Sequence, residues 1–112
     1  MLLTATQQAI ADSVREFAQE RIRPNALSYE TARAYPSELF QELAELGLMG
    51  MTAPEDKGGA GADYVSYALA LMEIAAADGA LSTILSIQNS LIVSALLKDG
   101  SAEQQNRFLP EL

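Results

Sequence analysis

Hydrophobic residues are densest over positions 64–97, where Glu73 and Asp78 are the only charged side chains. Otherwise the stretch reads as aliphatic side chains, alanines and small hydroxyls. A helix that is apolar on nearly every side belongs inside a bundle, because a surface helix keeps one polar face. The pattern therefore predicts that the rest of the chain packs around this stretch.

Asp78 and Gly79 interrupt the apolar stretch. Aspartate favours turns and caps, and glycine tolerates the left-handed turn that ends helices. Two central helices are therefore predicted, over 63–78 and 81–99. A membrane-spanning helix needs about 20 consecutive apolar residues, and each predicted helix is shorter, so we expect no membrane span.

Each of the two predicted helices carries a stripe of small or polar residues. On the first helix the stripe includes Glu73, and a buried carboxylate without a partner is costly, so we expect Glu73 to reach water or a basic side chain. On the second helix the small residues would let another helix or a slender ligand come close. The two stripes are Ser66, Ala70, Glu73 and Ala77, and Ser82, Ser86, Ser90 and Ser94.

Start and stop signals divide the remaining chain into shorter helices. Thr4 and Ser101 each begin a capping box, with a glutamine three residues later. Pro24 predicts an end or kink in the first helix, Pro36 starts a third helix, and Gly47 stops it. About six helices with short links and no convincing strand predict an all-α orthogonal bundle, a single helical domain over 1–112.

The periodicity lapses over 48–62, where the run Glu55-Asp56-Lys57-Gly58-Gly59-Ala60-Gly61 predicts a flexible loop. A phosphate-binding fingerprint needs three spaced glycines between a strand and a helix. The strand and the third glycine are missing, and Asp63 places a negative charge at the next helix start, where it would repel an anion. The loop is therefore interpreted as a connection and not as a phosphate site.

Composition narrows the possible functions. The chain has 7 Lys and Arg residues and 15 Asp and Glu residues, which gives a formal charge of -8. This negative charge argues against binding to nucleic acid or to anionic lipid. It has no Cys and no His, which excludes catalytic triads, zinc sites and Glu-x-x-His di-iron sites within the chain. Spaced acids on the first helix (Asp12, Glu16 and Glu20) are interpreted as a solvated face and not as a metal site. The first residues show no targeting signal, so a cytoplasmic location is expected.

Taken in order, six runs resemble the amino-terminal helical domain of the flavin-dependent acyl-CoA dehydrogenases. The resemblance covers essentially the whole chain. The runs are Phe17-Ala18-Gln19-Glu20-Arg21-Ile22-Arg23-Pro24, Leu43-Ala44-Glu45-Leu46-Gly47-Leu48-Met49-Gly50-Met51, Pro54-Glu55-Asp56-Lys57-Gly58-Gly59-Ala60-Gly61 with Asp63-Tyr64, Glu73-Ile74-Ala75, Asn89-Ser90-Leu91, and Lys98-Asp99-Gly100-Ser101 leading to Gln105-Asn106-Arg107-Phe108-Leu109-Pro110.

The resemblance implies a larger oxidoreductase that introduces a double bond between the α and β carbons of a fatty acyl-CoA. In that family a middle sheet domain and a second helical domain follow and hold FAD, and a glutamate from the last domain removes the α proton. No catalytic, cofactor-binding or metal-binding residue is then expected in this chain, which alone would be inactive. Implied partners are acyl-CoA, an electron-transfer flavoprotein and further copies of the enzyme in a tetramer.

The first domain of such an enzyme supplies one wall of the acyl-chain tunnel, from the helix that matches 81–99. Aligning Asn89-Ser90-Leu91 with the family assigns this wall to four side chains, which also fall on one face of a helix. They are Thr83, Ile84, Ile87 and Leu91. The alternative is that these residues are ordinary core, as apolar stripes at helical spacing usually are.

Two other functions remain open on the sequence. The chain could be a non-catalytic helical module that pairs with another subunit. It could also be a helical carrier that binds a small apolar ligand in the same groove without chemistry.

Overall fold

The computed structural model describes residues 2–112, so only Met1 of the predicted domain lies outside the described residues. Helices joined by turns and short irregular segments make up the described residues, and no strand occurs among them. The prediction of an all-α fold is confirmed. The α-helices are α1 (Ala5–Phe17), α2 (Ala26–Ala32), α3 (Ser37–Glu45), α4 (Tyr64–Ala77), α5 (Gly79–Ser86), α6 (Ser94–Asp99) and α7 (Ala102–Phe108).

The capping boxes at Thr4 and Ser101 are both present, with side-chain and backbone bonds formed in each direction. Pro24 does not end the first helix abruptly. The chain passes from α1 through a π turn, Ala18–Ile22, and a 3-10 turn, Arg23–Asn25, into α2. Because proline lacks an N–H and disturbs the α-helical bonding before it, the helix changes its hydrogen-bonding pattern there and continues.

α5 and α6 are joined by a π segment, Ile87–Val93, into one continuous helix of 21 residues, Gly79–Asp99. It starts two residues earlier than predicted. By length and composition it could cross a membrane, so the length argument against a span was wrong. Core helices of globular proteins also meet this criterion, and Asn89 in its middle hydrogen-bonds to Leu48 and Met51 outside the helix.

The main core lies where α1, α3, α4 and α5 meet. Its most enclosed side chains have no exposed surface, and they are Ile22, Leu39, Leu43, Ile74 and Leu81. α4 packs against α1 on one side and α5 on the other. Nonpolar burial of this kind stabilises the fold by about 25 cal/mol per Å² of covered apolar surface.

The rest of the chain does not surround the two apolar helices. The domain measures 41 × 37 × 19 Å, and its shortest dimension is about two helices thick, given interaxial distances of about 8–10 Å. Only Ser66, Ala70 and Ile74 of α4 are buried. The predicted central position of the pair is therefore wrong on one side, where apolar side chains remain uncovered.

The loop predicted to be flexible folds back on itself. Backbone bonds run from Gly61 N to Ala53 O at 2.9 Å and from Ala62 N to Met51 O at 2.8 Å. A Cβ at Gly59 would lie 2.2 Å from Ala53 O, so only glycine allows this approach. Ala53 in turn packs with Val93 and Leu109, which ties the loop to the second long helix and the C-terminal turn.

Candidate functional site

The break between α4 and α5 is made by Asp78. Its backbone is extended (φ -158°, ψ 107°), and its Oδ1 accepts hydrogen bonds from Leu81 N at 3.1 Å and from the Tyr35 hydroxyl at 3.0 Å. Gly79 does not adopt a positive φ, unlike Gly47. The predicted break is thus confirmed, but its cause is an aspartate cap and not a left-handed glycine.

Glu73 has a basic partner, one of the two environments that the sequence predicted for it. Arg15 Nη2 of α1 donates to Glu73 Oε1 at 2.9 Å, and the Glu73 side chain is one-fifth exposed. The hydrogen bond to Glu73, and then its charge, raise the pKa of Arg15. The small-residue stripe of α4 therefore faces α1 and closes the seam between those helices, and the carboxylate is committed there.

The four predicted wall residues lie along one side of the Gly79–Asp99 helix, with different exposure. Thr83 is exposed, Ile87 is 46% exposed and Leu91 is 62% exposed. Ile84 is half-buried and packs against the main core. The alternative of ordinary core therefore describes Ile84 but not Ile87 or Leu91, whose apolar surfaces are open to the outside of this chain.

A shallow groove of about 390 Å³ runs between α4 and the start of the second long helix. Met72 and Ala75 form part of one bank, and Thr83, Ser86 and Ile87 form part of the other. We call this feature the α4–α5 groove. It brings Thr83 and Ile87 together, whereas Ile84 and Leu91 lie outside its lining.

Hydroxyl and amide side chains accompany the π segment next to this groove. Ser90 Oγ donates to Ser86 O, and Ser94 Oγ donates to Asn89 O at 3.2 Å, five residues back. Asn89 itself is 1% exposed and makes three hydrogen bonds. The sequence analysis interpreted the four serines only as small residues that let another helix or a slender ligand come close. It used Asn89 only within the motif Asn89-Ser90-Leu91 and gave it no structural role.

The starts of the two long apolar helices do not suit the pyrophosphate of FAD. A dinucleotide pyrophosphate is commonly held at an uncapped helix N-terminus, but both long apolar helices begin with an aspartate. Asp63 accepts from Ser66 N at 2.7 Å, and Asp78 accepts from Leu81 N. The bond from the Ser66 backbone, and then that from Gln7, lower the pKa of Asp63, which keeps this negative charge in place.

A metal site is also absent from the part of the chain that the structure describes. No group of three or more His, Cys, Asp or Glu side chains lies close enough to hold an ion there. Asp12, on the acidic face of α1, instead accepts from Gln8 Nε2 at 2.9 Å. The groove has no carboxylate in its lining.

Together these features define a flat helical domain with an open apolar groove, which offers shape and apolar surface to a ligand and no acid or base beside it. Residues 4–112 match the family model described as the N-terminal domain of acyl-CoA dehydrogenase. The chain belongs to this family.

Individual relatives agree with the family match. The chain is 38% identical over its whole length to an acyl-CoA dehydrogenase of Bacillus subtilis, and it covers 30% of that protein. It superposes with a TM-score of 0.91 and 38% identity on a glutaryl-CoA dehydrogenase from Mycobacterium smegmatis in complex with FADH2, covering 97% of this chain and 28% of that one.

A third similarity is to a chain in the structure of the electron transferring flavoprotein of Acidaminococcus fermentans. The TM-score is 0.92 at 32% identity, over 98% of this chain and 29% of that one. In all three comparisons this chain spans less than a third of the length of its relative. The fold is therefore that of one domain of these larger proteins.

Proposed function

We propose that this chain is the amino-terminal domain of an FAD-dependent acyl-CoA dehydrogenase, and that the Gly79–Asp99 helix supplies one wall of the tunnel that holds the fatty acyl chain. The observation that carries the proposal is the exposure of Ile87 and Leu91, apolar side chains beside the α4–α5 groove, in a domain of this family. Thr83 and Ile84 complete the wall.

The wall acts through nonpolar burial. Each methylene moved from water into an apolar site contributes about 0.8 kcal/mol, so a longer contact surface favours a longer acyl chain. Ile84 anchors the wall to the core, because it packs against the main cluster. Thr83 and Ile87 face the groove and would contact the chain, and Leu91 extends the same side of the helix.

The reacting groups are proposed to lie on other domains of the full-length enzyme. The α4–α5 groove has no carboxylate in its lining, and Glu73 is held by Arg15 on the opposite side of α4. The base that removes the α proton must then come from elsewhere. FAD, held by other domains, would accept the β hydrogen as hydride, since the capped helix starts at Asp63 and Asp78 do not fit its pyrophosphate.

Electron transfer to an electron-transfer flavoprotein and assembly into a homotetramer are part of the same proposal. The similarity to a chain in the structure of the Acidaminococcus flavoprotein supports the first of these, and the homotetramer is proposed from the family resemblance alone. The flat shape and uncovered apolar side chains of this domain also suit a piece that is covered by neighbouring domains or subunits.

The proposal is tested first on the full-length protein that contains this chain. Purified protein is expected to carry bound flavin that is bleached by a saturated acyl-CoA, with an enoyl-CoA as product. The 112-residue chain alone is expected to show neither flavin absorbance nor dye reduction. Stoichiometric FAD on the 112-residue chain, or a full-length protein that leaves every acyl-CoA unchanged, would contradict the proposal.

The wall is tested separately by filling it. Ile87→Phe in the full-length enzyme is expected to lower kcat/KM for long acyl-CoA substrates more than for short ones, because the larger ring takes space from the distal chain. Leu27→Phe is the matched control, since Leu27 is a large exposed apolar residue on α2, away from the groove. An equal loss of kcat/KM for all acyl-chain lengths would show that Ile87 does not line the tunnel.

The family match does not favour the interaction module or the ligand carrier. A carrier would bind ligand without other domains. Calorimetric titration of the 112-residue chain with acyl-CoA therefore separates the two ideas, because tight binding by the chain alone is expected only of a carrier.

A further inference from the structure

The most deeply buried residues of the second long helix recur at every fourth position, and Gln88, 9% exposed, is the one other buried residue there. Leu81, Leu85, Asn89 and Val93 are each no more than 2% exposed, while Ile92 is 39% exposed. A constant step of four does not match an α-helix, in which 3.6 residues make a turn.

Along an α-helix, a step of four drifts by about 40° each time, because each residue turns by about 100°. Over the 12 positions from Leu81 to Val93 the drift would reach about 120°, and Ile92 would face the core instead. The π segment Ile87–Val93 removes this drift, because its wider turns hold an extra residue. The same correction keeps Thr83, Ile87 and Leu91 on one side.

Asn89 is the side chain that joins this π segment to the rest of the domain. Its Oδ1 accepts from Met51 N at 2.7 Å, and its Nδ2 donates to Leu48 O at 2.9 Å and to Leu85 O at 3.0 Å. Two of these bonds hold the turn Leu48–Gly50 and the residue after it against the helix. The third bond is donated to the carbonyl of Leu85, which lies in the same helix, one turn before Asn89.

We propose that Asn89 is the positioning residue of the acyl-chain wall, and that its hydrogen bonds fix the π register that turns Leu91 outward, onto the side of the helix that Ile87 already faces. This inference rests on the proposed function for the role of the wall, but the register itself does not depend on it. Asn89 does not touch the substrate in this scheme. It decides which side chains do.

The register is tested by cysteine labelling, because the chain has no Cys of its own. Single Ile92→Cys and Val93→Cys variants are treated with a thiol reagent in the native state. With Asn89 present, the thiol at position 92 is expected to react faster, since Val93 is 1% exposed. With Asn89→Ser added, the order is expected to invert as the helix returns to α geometry.

Asn89→Ser cannot reach both Met51 and Leu48, yet it retains a small polar group. Should this variant lose its helical circular dichroism, Ser94→Ala takes its place, because it removes only the bond across five residues to Asn89 O. That milder variant is expected to narrow the difference in labelling rate between positions 92 and 93. An unchanged labelling order and rate difference in a folded variant would overturn the proposed register control.

The consequence for specificity is tested in the full-length enzyme. Asn89→Ser is expected to change the ratio of kcat/KM between a long and a short acyl-CoA by about fourfold or more, the worth of one methylene. Val14→Ala is the control, because it weakens packing on the buried face of α1. It is expected to lower kcat/KM by the same factor for long and short acyl-CoA substrates. An unchanged ratio beside an inverted labelling order would limit Asn89 to a structural role and overturn its role in the wall.

The two hypotheses fail in different ways. If the unmodified full-length enzyme does not dehydrogenate acyl-CoA, the proposed function is wrong, while the labelling experiment still decides whether Asn89 fixes the register. If the enzyme is active and the labelling order does not depend on Asn89, only the present inference is wrong.

Discussion

The two sides of the α4–α5 pair are both rich in small and apolar residues, but only one side is covered by this chain. The side that faces α1 is closed, with Ser66, Ala70 and Ile74 buried and Glu73 bonded to Arg15. The opposite side leaves Met72 67% exposed and Leu91 62% exposed. Hydrophobicity along a sequence therefore indicates that a surface needs covering, but not which molecule covers it.

Polar groups sharpen this comparison. On the closed side and at the helix starts, carboxylates are placed with partners, as with Asp63 and Asp78 at their caps. The lining of the open groove has no carboxylate and contains the small hydroxyls of Thr83 and Ser86. A fixed charge beside an apolar ligand would be costly to bury, so the open side is the one that suits an apolar ligand, as the proposed function requires.

The largest expected difference between the two surfaces is in stability. Leu43→Ala removes a side chain with no exposed surface and is expected to lower the free energy of unfolding by about 2–5 kcal/mol. Leu91→Ala on the open side is expected to change it by about 0.5 kcal/mol or less in this chain. Urea unfolding of the 112-residue chain measures both, and equal losses would show that Leu91 is already covered.

A smaller effect on stability is expected from the hydrogen bond between Tyr35, which lies just before α3, and Asp78, which lies between α4 and α5. Tyr35→Phe removes the hydroxyl that donates to Asp78 Oδ1 at 3.0 Å, and this should cost about 1 kcal/mol at neutral pH. Burial, followed by the hydrogen bond to Asp78, raises the pKa of Tyr35 to about 12 from its ordinary value of 10.0.

The pKa of Tyr35 gives this link a pH signature. Because the folded-state value is the higher one, the contribution of Tyr35 to stability is present below the ordinary pKa and is lost as the pH rises from about 10 to 12. The unfolding free energy of the parent chain should therefore fall more steeply over this range than that of Tyr35→Phe. Parallel curves would mean that the Tyr35 to Asp78 bond does not form in solution.

The smallest expected effect concerns the cap of α4. The hydrogen bond from the Ser66 backbone, and then that from Gln7, lower the pKa of Asp63. Its contribution to stability is therefore fully present above the ordinary pKa of an aspartate, and it is lost as the pH falls through the lowered pKa of the folded state. Asp63→Asn keeps a capping side chain but removes the titration. Thermal unfolding below about pH 4 should then depend less on pH in the variant, and an identical acid dependence would contradict the assigned cap.

Local signals made much of the fold predictable. The capping boxes at Thr4 and Ser101 act within four residues, and the stop at Gly47 depends on one backbone angle. Water or a basic partner could be anticipated for Glu73, because an unpaired buried carboxylate is costly, and the structure shows the basic partner. The ordered motifs predicted the family, which the match over residues 4–112 confirms.

Features that depend on distant contacts were not predictable in this way. Tyr35 meets Asp78 across 43 residues, and Met51 meets Asn89 across 38. The residues next to each of these positions in the sequence do not indicate which distant residue it contacts. The extent of cover on the α4–α5 pair was also missed, because composition gives the number of apolar residues and not their neighbours.

The π segment is an intermediate case. The serines at 82, 86, 90 and 94 step by four, a spacing that drifts around an α-helix but holds one side when π turns intervene. The prediction took the four wall residues from the family resemblance and checked them against α-helical geometry only. The assignment of Thr83, Ile84, Ile87 and Leu91 to substrate contact stays a prediction.

The most direct test of the central claim is photo-labelling of the full-length enzyme with an acyl-CoA that carries a diazirine near the end of its acyl chain. Peptide mass spectrometry is expected to find the label between Thr83 and Leu91, and excess unmodified acyl-CoA should suppress it. Labelling that is confined to other domains, or that reaches this chain only at exposed apolar residues away from the groove such as Leu27, would contradict the claim that the Gly79–Asp99 helix forms a wall of the acyl-chain tunnel.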